Sequence, residues 1–232
     1  MEDAETWKES LDEYRYPVDL RKFHGGSEHP GWFEPNISPG DPRQTRDFEA
    51  RFRKLAPYHS EAWAEVVFWK LDSVGRGIAE RNASKLLRSG ASPRSLWRSC
   101  NDYIEKPSRE SFRKFRSLLF DTPSVATAAT FPAFVCPERF PMVDTQVTKW
   151  AGNNGHLHTY AEIGGPGLEE VPVLKTTVLL ESHWAFIKSW ISWCQFTACI
   201  LRQRTRYAWR ARDVEMAVFT AQRCAMPLHP LA

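Results

Sequence analysis

The five cysteines, at 100, 136, 194, 199 and 224, include no CxxC pair and form no quartet with histidine at ligand spacing. A zinc or iron–sulfur centre is therefore not expected, and neither a metal nor a cofactor is assigned. Their odd count and apolar neighbours predict reduced, mostly buried thiols in a cytoplasmic protein. The acidic start MEDAETWKESLDE lacks the apolar core of a signal peptide. The most apolar region, 177–201, is broken by Glu181, His183, Lys188 and Gln195, so no membrane span is expected. Runs of alternating β-branched residues are missing as well, with one weak strand candidate at Val171–Leu180. There is no internal repeat, no low-complexity tract and no Gly-x-Ser-x-Gly elbow around Ser124.

What is present suits a helical domain with a sizeable core. Of 232 residues 13% are aromatic, ten of them Trp, and 25% are charged, which argues against disorder away from the ends. Charge is unevenly placed. Residues 1–42 carry four basic and ten acidic residues, a net of −6, whereas 43–116 carry seventeen and nine, a net of +8. Residues 200–223 add six Arg against two acids, so a positive face for a phosphate backbone can form away from an acidic arm.

Periodicity predicts an all-α fold. A short helix over 2–15 stops at Pro17, and the Pro- and Gly-rich stretch 21–43 reads as an arm or loop. Phe48, Phe52 and Leu55 mark a helix ended by Pro57, and Ser60 is placed to cap the next, which carries Trp63, Phe68 and Trp69. Further helices are expected over 78–88, over 94–105 behind Ser92-Pro93, and over 108–120. A small-residue helix then stops near Cys136-Pro137, and the chain delivers Asp144 between Val143 and Thr145. Gly152–Pro172 reads as a loop, Glu181–Arg204 as a Trp-rich helix, and the last helix as running from an Asp213 cap to Cys224. The segments are accordingly an arm (1–43), a helical domain (44–152), and a loop with C-terminal helices completing a second lobe (153–232).

The stretch 118–150 carries a family resemblance. Pro123-Ser124-Val125-Ala126, then Thr127-Ala128, then Val143-Asp144-Thr145-Gln146-Val147, follow the order of a hairpin turn, a Thr-Ala helix and an apolar-Asp-Thr sequence. This resembles the helix-hairpin-helix DNA glycosylase superfamily, whose hairpin has the form LPGVGxxTA and whose later motif is VDTxV. The resemblance covers 45–150 as pattern and 123–147 as residues. It implies a two-lobed helical fold, double-stranded DNA as partner, and cleavage of the N-glycosidic bond of an extruded damaged or mismatched base. Asp144 takes the carboxylate's place, and Ser124, Val125, Ala126 and Thr127 that of the phosphate-binding turn, with Arg113 and Arg116 beside them. The two hairpin glycine positions hold Ser124 and Ala126. No lysine follows the turn, which implies a monofunctional enzyme using water rather than an amine.

Each residue also has a plainer reading. Asp144 fits the N-cap of a helix beginning at Thr145. Arg113, Lys114 and Arg116 fit the wet side of a helix whose Phe112, Phe115 and Leu119 face inward, and Arg76, Arg81, Lys85, Arg88 and Arg109 are open to the same reading. His156 and His158 fit loop histidines without a site, and Trp184, Trp190 and Trp193 fit a core better than a base-stacking platform. A non-catalytic DNA-binding or protein-interaction module on the same fold is the alternative function.

Overall fold

The computed structural model describes residues 2–16, 18–20, 23, 40–121, 123–154, 157, 160, 164–165, 171–172 and 177–228. Among them every regular element is an α-helix. They form two compact units, one contiguous (Tyr16–Val135) and one assembled from both flanks (Met1–Arg15 with Cys136–Ala232). The units divide the chain at 15 and 135, whereas its shifts in composition lie at 43 and 152.

Helix α1 (Glu2–Asp12) belongs to the flanking unit. The contiguous unit holds α2 (Pro42–Leu55), α3 (Ser60–Asp72), α4 (Arg76–Arg88), α5 (Pro93–Glu105), α6 (Arg109–Leu119) and α7 (Val125–Val135). Two of these have no wet face. In α3 every residue from Ala62 to Lys70 is buried, and in α7 every residue from Thr127 to Phe134 is. Such helices must be enclosed, and α7 packs against α2, α3, α5 and α6 while α3 also packs on α4. Phe131 and Phe134, one turn apart on α7, enter an aromatic cluster. Phe131 lies 4.9 Å from Trp63, and Phe134 lies 5.2 Å from Phe48 and 5.3 Å from Trp69, ring centre to ring centre. Burying each ring contributes about 1.5–3 kcal/mol. That anchoring fixes where the first turn of α7 emerges.

The flanking unit holds α1, α8 (Thr145–Asn154), α9 (Glu181–Arg204) and α10 (Ala211–Cys224). Helix α10 is buried without interruption from Ala211 to Ala221, and α1, α8 and α9 all pack on it. Tryptophans fill the space between them. Trp193 stacks on Trp190 at 5.2 Å and meets Trp150 at 5.4 Å and Trp7 at 6.1 Å. Trp184, Trp190 and Trp193 are all buried, which makes them core and removes them as a stacking platform.

Several local expectations need correction. His59, not Ser60, occupies the cap position of α3, and no side chain bonds there. The last helix starts two residues before Asp213, which acts from its third position by accepting the Arg210 amide at 2.9 Å. The reason lies far away in sequence. The carbonyls of Glu138 and Pro137 accept the amides of Ala211 and Arg212 at 3.2 and 3.0 Å, so the turn before Asp213 can be helical. The six Arg of 200–223 are not one positive face, since Arg212 is fully buried against Glu215 and Arg210 pairs with Asp213 at 2.8 Å. Nor are the thiols mostly buried: Cys100 and Cys194 are, whereas Cys199 and Cys224 are exposed. Residues 173–176 of the strand candidate and most of the 152–172 loop lie outside the described residues, while α8 extends through Asn154. Among the described residues no helix is long and apolar enough to cross a membrane.

Candidate nucleic-acid interface and carboxylate

The turn between α6 and α7 in the contiguous unit joins two serine-led helices. Ser108 starts α6 by accepting the Ser111 amide at 3.0 Å, and the Ser111 hydroxyl accepts the Ser108 amide at 3.0 Å. Phe112, Phe115 and Leu119 then face the core, leaving Arg113 and Lys114 exposed and Arg116 half-buried. Phe120 ends the helix in an extended conformation. Arg116 Nε donates to the carbonyl of Pro123 at 2.9 Å, tying the end of α6 to the start of α7.

Ser124 then caps α7. Its Oγ accepts the Thr127 amide at 3.1 Å, its carbonyl accepts the Ala128 amide at 3.1 Å, and the Ser124 and Thr127 hydroxyls lie 2.8 Å apart. Among the described residues of this turn none has a positive φ, so neither Ser124 nor Ala126 stands where the backbone requires a glycine. The Thr127 amide is occupied by the cap. Within the first turn that leaves the amides of Val125 and Ala126 without an intrahelical acceptor.

Arg113 and Arg116 line a hollow of about 300 Å³ together with Ser117, Phe120, Asp121 and Pro123. Burial lowers the Arg116 pKa, and the neighbouring Arg113 charge lowers it further. A cation held at such a disadvantage gains from an anion placed beside it. Ser124, Val125, Ala126 and Thr127, at the start of α7, do not line this hollow. Arg76, by contrast, is matched to Glu80 on its own helix at 2.9 Å. Phe120 and Ser117 were not singled out in the sequence, because no local pattern says which side of a helix end the turn will fold over.

Asp144 belongs to the flanking unit, half-buried at the start of α8. Met142 and Val143 before it are buried, and the Met142 carbonyl accepts Trp190 Nε1 at 2.9 Å, which fixes the approach. Asp144 Oδ1 accepts the amides of Gln146 and Val147 at 2.8 and 3.0 Å, and its carbonyl accepts the Thr148 amide at 3.1 Å. The carboxylate is thus an N-cap, favoured there by the positive end of the helix dipole. Both capping bonds fall on the same oxygen. His156 and His158 lie outside the described residues.

Set against protein-family models, curated proteins and solved structures, the chain matches none of them.

Proposed function

We propose that the protein is a monofunctional DNA N-glycosylase of the helix-hairpin-helix type, acting on a base extruded from the duplex. Four features support this reading. Arg113 and Arg116 line a hollow at the α6–α7 turn, and the Val125 and Ala126 amides at the start of α7 have no intrahelical acceptor, two features each suited to a DNA backbone phosphate. Asp144 follows buried apolar residues and is oriented by two backbone amides. No lysine lies between 118 and 135 to attack the sugar as an amine.

In the proposed reaction the glycosidic bond breaks with positive charge developing on the sugar. The Asp144 carboxylate stabilises that charge or orients the attacking water, and water supplies the new bond to the sugar carbon. The observation that carries the reading is this held, half-buried carboxylate.

Asp144→Asn is the incisive variant, since Asn caps helices as well as Asp does but carries no charge. On duplexes containing uracil, alkylated or oxidised bases, it is expected to lower single-turnover cleavage by about a hundredfold or more with Tm nearly unchanged. Cleavage that survived at the wild-type rate would overturn the assignment. The second reading, a DNA-binding module without chemistry, is favoured by the capping role of Asp144. It predicts salt-dependent duplex binding with no product on any of these substrates.

A further inference from the structure

The start of α5 carries a second basic hollow, separate from the hairpin turn. Ser92 caps this helix and its Oγ accepts the Ser95 amide at 3.2 Å. Pro93 has no amide hydrogen, so Arg94 holds the one amide of the first three helical positions left without an acceptor there. A hollow of about 330 Å³ opens over this turn. Arg94 and Arg98 line it from α5, and Lys114 lines it from α6, which packs alongside. Among the described residues none of these three cations is in a salt bridge. Asp102 also lines the hollow and offsets one of the three charges.

Ser99 supplies an observation independent of the charges. It forms part of the wall of the hollow and is 4% exposed, yet its Oγ has no hydrogen-bond partner. Leaving a buried hydroxyl unpaired costs about 1–3 kcal/mol. Arg94, Arg98, Lys114 and the Arg94 amide are donors only, and the Ser99 hydroxyl in the wall adds a group that can donate, against the acceptor-only carboxylate of Asp102. The complement of these donors is a small anion rich in acceptor oxygens.

We propose that this hollow binds a phosphate group. Three cations set against one carboxylate match a ligand of one to two negative charges, and the space accommodates a phosphate with its ester substituent pointing to solvent. The proposal does not depend on glycosidic cleavage. Lys114 serves this hollow while Arg113 and Arg116 serve the hairpin, so α6 faces a phosphate site on each flank. The phosphate could belong to a nucleic-acid backbone or to a free monoester, and the two sources are separable.

The test is a titration of the full-length protein with inorganic phosphate against chloride at matched ionic strength, read by Tm and by backbone amide NMR shifts. Phosphate is expected to raise Tm and to move the amides of residues 92–99. Arg94→Ala/Arg98→Ala is expected to weaken phosphate binding about tenfold or more. Ser99→Ala is expected to leave the phosphate-free Tm unchanged or higher while weakening binding several-fold, a divergence that a purely structural serine would not give. Displacement of phosphate by a short duplex identifies the backbone as ligand; displacement by a mononucleotide alone identifies a monoester. The proposal is overturned if wild-type protein shows no phosphate response, or if Arg113→Ala rather than the α5 double variant abolishes it. Either result leaves the outcome for Asp144→Asn untouched.

Discussion

Arg51 and Arg116 lie in the same helical unit, each partly withdrawn from water, and their surroundings differ. Arg51 on α2 makes a two-pronged bond to Glu65 on α3, at 2.7 and 3.0 Å, with Glu65 2% exposed. Arg116 on α6 bonds the Pro123 carbonyl and lies near the like charge of Arg113. The first arrangement fastens two helices of the core. The second ties the end of one helix to the start of the next at the edge of a hollow that Asp121 also lines. Burial of an arginine is therefore no guide to its role until its neighbours are known.

Substitutions can break the contrast in order of size. Arg51→Ala strands a buried carboxylate and is expected to lower stability by about 3 kcal/mol in chemical denaturation. Arg116→Ala removes the charge-assisted bond to the Pro123 carbonyl at a half-buried position, so a loss of about 1–2 kcal/mol is expected. It should also reduce the salt dependence of duplex binding, which Arg51→Ala should not do. Ser124→Ala removes the α7 cap at a loss of about 1 kcal/mol. The smallest effect is a slope. Burial raises the Glu65 pKa above 4.5 despite the opposing pull of Arg51. A raised acid binds more protons folded than unfolded, so its contribution makes stability fall as pH rises from about 4.5 through the folded pKa. Glu65→Gln is expected to flatten that part of a Tm-against-pH profile.

Much of the helical order was legible because its signals are local. Ser92-Pro93 announces α5, and the Trp-rich periodicity of 181–204 gives α9 with its ends. Asp144 was legible as a cap for the same reason, since an Asp directly before Thr145 needs only its own next three residues to bond. The start of α10 was not, because the carbonyls that complete it come from residues 137 and 138. Arg212 and Glu215 look like an ordinary wet pair one turn apart, and only the packing of α1, α8 and α9 on α10 makes them interior. The α5 hollow was equally invisible. Lys114 joins Arg94 and Arg98 through helix packing, and the missing partner of Ser99 is a property of three dimensions.

The division of the chain at 15 and 135 has a consequence for biosynthesis. A ribosome completes the contiguous unit roughly 75 residues before it reaches α10, a delay of about 4–15 s at ordinary elongation rates. Helices α2, α3, α5 and α6 can close over α7 during that interval. Helix α1 cannot settle so early, because its Ser10 hydroxyl is destined for the Ala217 carbonyl, 2.8 Å away in the finished protein. An 11-residue helix is marginal alone in water. Helix α1, made before the contiguous unit, is thus among the last elements to find its place, and during the wait Trp7 and Leu11, both buried in the end, stay uncovered.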